Sequence, residues 1–132
     1  MSLLWTLETR KKEMKSAHDP RHLKRIKAVK NLFSWSFSNK LLKNQLAERV
    51  IKHRKEIDSL IGEAAPEWPI KQINRIDLAI LRLAVFELKI EPKEPIKVII
   101  DEAIEIAKFF GSEKSSTFVN GALGALMKQK EK

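Results

Sequence analysis

The sequence predicts an all-helical protein, and three observations support this fold class. Apolar residues recur at spacings of three and four along most of the 132-residue chain, which is the period of a helix that is buried on one face. Tyrosine is absent, and valine and threonine are sparse, so residues that favour strands are largely missing. Proline and glycine fall between the periodic segments, where helices end. Together these features predict a compact bundle of about five to seven helices.

The first predicted helix begins at Asp19 and Pro20, an N-cap residue followed by a proline in the first turn. Apolar residues then recur at spacings of three, four and four, which predicts a buried stripe of Ile26, Val29, Phe33 and Phe37. The opposite side of this helix is cationic, and we expect it to face solvent through Arg21, Lys24 and Arg25.

The same signals predict four further helices. One spans 39–61 and stops at Gly62, and a proline-rich connection follows it. The next spans 70–89, and its wide apolar arc predicts a central, buried position. A fourth spans 96–110 and ends at Gly111, and a last helix begins within 112–116. We therefore expect a single helical domain over 19–132.

The first 18 residues have a different character. Three leucines near the start give way to Arg10, Lys11, Lys12 and Lys15. We expect 1–18 to form a mobile basic arm, with Met14 as an alternative natural start. Mass spectrometry of the native protein would distinguish the two starts.

Positive charge is concentrated in one part of the chain. Residues 10–55 contain 15 Lys and Arg against 3 Asp and Glu, whereas residues 56–132 contain 11 against 13. The net charge of +9 therefore comes from the first part. A basic surface beside a near-neutral remainder is typical of proteins that bind polyanions. Surplus charge that serves solubility alone is the alternative interpretation.

Composition excludes several classes of protein. The chain has no cysteine, so it has neither a disulfide framework nor a thiolate zinc site. Its longest apolar stretch, 79–88, is interrupted by charges and is shorter than the roughly 18 residues that span a bilayer. The first ten residues lack the cleavage site of a secretory signal. We expect a cytoplasmic protein that does not associate with membranes.

The titratable residues form no catalytic or metal-binding pattern. His18 and His22 are four apart, but a proline interrupts the helical register between them, and we expect both to join the basic surface. Asp101, Glu102 and Glu105 cluster near the start of the fourth helix, where carboxylates favour the helix dipole and face water. No phosphate-binding glycine loop is found. We predict no enzymatic activity, no metal and no cofactor.

Three segments carry a more specific signal when they are taken together. Residues 21–37 read RHLKRIKAVKNLFSWSF, 76–88 read IDLAILRLAVFEL, and 95–121 read PIKVIIDEAIEIAKFFGSEKSSTFVNG. In this order they resemble the basic opening helix, the central helix and the closing motif of the NusB family. The resemblance covers about residues 21–126 and implies a NusB-like helical fold.

This resemblance implies a non-catalytic function in transcription antitermination. NusB proteins bind the boxA element of nascent RNA together with NusE, a small-subunit ribosomal protein that doubles as a transcription factor. The implied partners are single-stranded boxA-like RNA, NusE and the transcription elongation complex, and the implied process is ribosomal RNA transcription.

The resemblance also assigns site residues. The basic start of the first helix implies RNA contacts by Arg21, Lys24, Arg25 and Lys27. Phe33 stands where relatives often have a tyrosine, so stacking is retained without the hydroxyl, and Phe118 matches an RNA-facing phenylalanine. Lys114 replaces an acidic residue of some relatives, which predicts tighter and less selective binding to phosphates. Asp77 matches an acidic position that faces NusE.

Three alternatives remain at this point. A NusB-like domain also precedes the catalytic domain of some ribosomal RNA methyltransferases, but with the chain ending at Lys132 we expect no such domain. A general basic RNA binder is the second alternative. The third is a protein-interaction module, its charge serving solubility alone, that self-associates as a homodimer through the arm at 1–18.

Overall fold

The computed structural model describes residues 19–40 and 43–129, so the predicted arm at 1–18 and the alternative start at Met14 lie outside the described residues. The described part of the chain contains no strand and six α-helices: α1 Pro20–Ser38, α2 Gln45–Lys52, α3 Arg54–Ala64, α4 Arg75–Val85, α5 Ile96–Phe110 and α6 Glu113–Gln129. A 3₁₀ turn, Ile70–Gln72, precedes α4, and a π-helical turn, Phe86–Ile90, follows it. The all-helical prediction is confirmed. Among these helices none is both long and apolar enough to cross a membrane.

Helix α4 is the centre of the bundle. All residues from 77 to 86 are buried, and the helix contacts the other five. Its start is fixed by Asn74, whose side chain accepts a hydrogen bond from the Ile76 backbone N–H at 2.9 Å. The buried guanidinium of Arg82 donates to both carboxylate oxygens of Asp58 on α3, at 2.9 and 3.0 Å. The predicted central position of this helix is confirmed.

The prediction of one continuous helix over 39–61 is wrong. The chain leaves helical geometry at His53, where φ is −102° and ψ is 15°, and separate helices α2 and α3 lie on either side. The physical reason is tertiary, because α2 packs mainly on α1 whereas α3 packs on α4 and α6. The bend lets each short helix bury its own apolar face, Ala47 and Val50 in α2 and Ile57 and Ile61 in α3.

Helices α5 and α6 pack against each other across a tight turn at Gly111. A Cβ atom at this glycine would lie 2.4 Å from the Ser115 Oγ and 2.7 Å from the Ser115 Cβ. We expect Gly111→Ala to lower the free energy of unfolding by about 1–3 kcal/mol, because the turn must open to admit the methyl group. Urea denaturation measures this change.

Gly121→Ala is the matched control, since a Cβ atom there meets nothing within 4 Å. It lies within α6, where alanine is favoured over glycine by about 0.5–1 kcal/mol. Equal effects of the two substitutions would contradict a steric role for Gly111.

Candidate nucleic-acid interface

Helix α1 is rotated relative to the sequence prediction. Its buried face contains Arg25, Ala28, Val29 and Leu32, which follow the i, i+3, i+4, i+7 spacing of one helix face. The predicted stripe followed spacings of three, four and four, yet its last residue, Phe37, is 61% exposed. Ala28 and Arg25 are instead buried against the bundle. Arg25 therefore does not lie on the outward face of α1.

Arg25 lies in a cluster of three carboxylates and does not face solvent as predicted. Its side chain is 4% exposed, and its guanidinium donates to Glu87 at 2.9 Å and to Glu102 at 3.1 Å. It also pairs closely with Glu94. Burial alone would lower the pKa of this guanidinium, but the three carboxylates raise it above the ordinary value. Arg25 therefore anchors α1 to the π-helical turn and α5.

The neighbours of Arg25 divide between this cluster and the surface. His22 was expected on the basic surface, but it is buried, and its Nδ1 lies 2.7 Å from a Glu102 carboxylate oxygen. Glu102 was expected to face water and is instead held by His22 and Arg25. Arg21 stays exposed while it pairs with Asp19 at 3.5 Å and Glu94 at 3.1 Å. At the start of α1, Arg21 thus remains accessible to an anion.

One group in the described residues has donor atoms close enough to hold a metal ion. The ligand atoms of His22, Glu102 and Glu105 lie within 4.8 Å of one another. Both oxygens of Glu102 already accept hydrogen bonds, one from Arg25 and the other shared with His22. Because the guanidinium supplies the positive charge that a metal would bring, the group is accounted for as an ion-pair network.

The outward face of α1 presents a row of cations. Lys24, Lys27 and Lys30 are all exposed and are spaced by three residues, so they follow one another along the helix. Phe33 comes next along the chain, half-buried and packed edge-to-face on Phe37 with ring centroids 5.0 Å apart. We call Lys24, Lys27 and Lys30 the cation row. Proteins that bind single-stranded nucleic acid use cations to hold the phosphates and aromatic rings to stack on the bases.

The start of α6 carries the second set of predicted residues. Lys114 is exposed, and Phe118 is half-buried with its ring 6.2 Å from the exposed Trp68 ring in an edge-on contact. Asp77 is buried, at 7% exposure, and its Oδ1 has no hydrogen-bond partner among the described residues. Asp77 is therefore not on the surface that the resemblance assigned to it.

The comparison with protein families decides what kind of bundle this is. The NusB family model matches residues 29–128, which is most of the chain and includes α2 to α5 completely. The chain belongs to the NusB family. The family and the fold class predicted from the sequence are thus confirmed.

Several NusB proteins are similar to this chain. The transcription antitermination protein NusB of Chloroflexus aggregans (strain MD-66 / DSM 9485) is 53% identical over 78 residues, which are 58% of this chain and 52% of that protein. The chain spans about half the length of the curated relatives it matches. A solved structure of T. maritima NusB is 32% identical with a TM-score of 0.75, and the match covers 83% of this chain and 92% of that chain.

A second solved structure extends the likeness in fold. It contains the antitermination factors NusB and NusE in complex with dsRNA, and the matched chain has a TM-score of 0.72 at 24% identity. The match covers 83% of this chain and 98% of that chain. At this identity the likeness concerns the NusB fold alone.

The sequence did not indicate which carboxylates pair with Arg25 in this NusB bundle. Glu87, Glu94 and Glu102 come from the π-helical turn, the following connection and α5, at 62 to 77 residues from Arg25. One local signal was available, because Arg25 lies three, four and seven residues before buried apolar positions of α1. An arginine at core spacing indicates a buried cation that needs carboxylate partners.

Asp77 provides a pH-dependent prediction. Burial raises its pKa above the ordinary value of 3.8, with the Ser115 side chain opposing the shift. A raised folded-state pKa contributes stability at low pH, and this contribution is lost as the pH rises through the folded value. We expect the stability difference between Asp77→Asn and wild type to move in favour of Asp77→Asn from about pH 3 to about pH 6. Urea denaturation across this range tests it, and a shift in favour of wild type would contradict it.

Proposed function

We propose that this chain is a non-catalytic, RNA-binding antitermination factor of the NusB type that acts in the cytoplasm. Its RNA is a single-stranded, boxA-type element, which it binds together with NusE in the transcription elongation complex to support ribosomal RNA transcription. Family membership supports this proposal, and the similar solved structure of NusB and NusE in complex with dsRNA supports the partner and the binding of RNA, though not the single strand. Residues 19–132 act as one RNA-binding domain, and the basic residues of 1–18 add to its positive charge.

The exposed cation row of α1, next to Phe33, is the observation that carries the proposal. Its three lysines offer charge to phosphates, and Arg21 adds a fourth cation at the start of the helix. On α6, Lys114 offers another cation, and Phe118 offers a half-buried ring. The RNA contacts proposed here are made by Arg21, Lys24, Lys27, Lys30, Phe33, Lys114 and Phe118.

Arg25 has a different role in this proposal. Its guanidinium is occupied by three carboxylates and is nearly inaccessible, so it holds α1 in place and does not contact phosphates. Asp77 is buried in α4, which packs against α6, so its proposed role on the NusE side is also indirect.

Fluorescence anisotropy of a labelled boxA-type RNA tests the function. The titration is repeated with a scrambled RNA and with a duplex of the same sequence, at several salt concentrations, with and without NusE. We expect preference for single-stranded boxA-type RNA, tighter binding with NusE, and affinity that falls with salt as counterions are released.

The other outcomes separate the alternatives. Equal affinity for all RNAs, without an effect of NusE, would indicate a general basic RNA binder. Absent RNA binding together with a stable dimer in sedimentation would favour a self-associating interaction module. Preference for the duplex would retain RNA binding but contradict a single-stranded target.

A further inference from the structure

Phe37 is a large apolar side chain in an unusual position. It is 61% exposed, more than the other large apolar residues of the described chain, at the last turn of α1. A scattered exposed apolar residue needs no explanation by itself. Phe37 differs because charged and aromatic partners hold its ring in a fixed orientation.

Two neighbours fix the ring. The Arg75 guanidinium lies 4.2 Å from the Phe37 ring centroid, within the range of a cation–π contact. Phe33 packs edge-to-face against the same ring, with an interplanar angle of 80°. Arg75 is itself held, because its Nη1 donates to the Ser36 carbonyl oxygen at 2.6 Å. This bond also satisfies a carbonyl in the last turn of α1, which has no basic residue of its own.

The ring is also close to the proposed phosphate contacts. Phe37 lies seven residues after Lys30, which is two helical turns and about 10 Å along the same face of α1. It therefore continues the cation row toward the end of the helix. A planar guanidinium stacked on a ring, beside lysines, matches the way proteins hold single-stranded nucleic acid, with aromatic planes for bases and cations for phosphates.

We propose that Phe37 and Arg75 form a stacking site for one unpaired base of the bound RNA. The base lies against the exposed surface of the pair while the cation row binds the flanking phosphates. This inference rests on the proposed function and adds a base contact to it. If Arg75 had a purely structural role and only tied α4 to the end of α1, substitutions at Phe37 and Arg75 would not change the affinity for RNA.

Two conservative variants test the site in the full chain. Phe37→Leu keeps an apolar side chain but removes the aromatic ring. Arg75→Lys keeps the positive charge but removes the planar guanidinium. We expect Phe37→Leu to weaken binding of single-stranded boxA-type RNA about 10-fold, as loss of one stacked base does, and Arg75→Lys to weaken it less. Phe37→Tyr keeps the ring and should bind like wild type. Phe109→Leu is the control, an exposed phenylalanine at the end of α5.

RNA with 2-aminopurine at one position at a time reports stacking directly. We expect wild type to quench the 2-aminopurine fluorescence strongly at one position of the RNA. With Phe37→Leu the fluorescence at that position should stay high. Affinity for the duplex should be the same in both proteins, because its bases are already stacked.

The outcomes separate this inference from the proposed function. If wild type binds the RNA and both variants match it, or if Phe37→Leu weakens duplex binding equally, the stacking site is overturned and the function stands. A loss of NusE binding with unchanged RNA affinity would overturn the site in favour of a protein contact. If wild type binds no RNA, the proposed function fails first, and the inference falls with it.

Discussion

Arg25→Met is expected to destabilise the protein by about 3 kcal/mol or more, because it removes the one cation that all three clustered carboxylates share and leaves only Arg21 beside Glu94 and His22 beside Glu102. Glu87, Glu94 and Glu102 are each more than four-fifths buried, so water cannot replace the lost guanidinium efficiently. Urea denaturation with circular dichroism measures the loss.

Lys27→Met is the matched control for this prediction. It also replaces a cation by methionine, two residues further along α1 at an exposed position, where changes of about 0.5 kcal/mol or less in stability are usual. The triple variant Arg25→Met, Glu87→Gln, Glu102→Gln should recover part of the loss, since the groups act as one network. If Arg25→Met were as stable as the control and lost RNA affinity instead, Arg25 would be an RNA contact after all.

Replacing Lys24, Lys27 and Lys30 together by glutamine is expected to weaken RNA binding on the order of 10- to 100-fold at low salt. Each lysine that contacts a phosphate of a single strand contributes about −0.7 to the slope of log affinity against log salt. Loss of all three should therefore make the slope shallower, less negative by about 2. Anisotropy titrations at several salt concentrations give both quantities, and unfolding curves should stay near wild type because all three side chains are exposed.

The charge-matched control replaces Lys97, Lys108 and Lys128, which are exposed on α5 and α6. It removes the same net charge away from the cation row. Equal losses in the two triple variants would mean that net charge alone attracts the RNA, and would contradict a defined site on α1.

Local signals explain why much of the fold could be predicted. The ends of α5 are set by Pro95 and Gly111, residues that act within a few positions of themselves, and the helix indeed spans Ile96–Phe110. The wide apolar arc of α4 likewise indicated its central position, because burial on all sides leaves no polar face.

The misplaced features depend on contacts between distant segments. The bend at His53 follows from what α2 and α3 each pack against, and no breaker residue marks it in the sequence. Arg25 was predicted to face outward because its carboxylate partners lie more than 60 residues away. Phe37 was predicted to be buried because it continues the helical spacing of Val29 and Phe33, although the face that is buried is the neighbouring one, with Ala28 and Leu32.

The site could be predicted only in part for the same reason. Arg21 and Lys24 were correctly expected at the surface, since long cations rarely lie buried without a partner. The burial of Asp77 was not predicted, because it arises only once α4 has packed among the other helices.

The most direct test of the whole account is an NMR titration of the labelled protein with boxA-type RNA, which shows which residues sense the ligand. We expect the largest shifts along the outward face of α1, at Lys24, Lys27, Lys30 and Phe33, and at the start of α6, with small changes at the buried Arg25 guanidinium. Large shifts of that guanidinium, or a footprint that avoids α1, would contradict it.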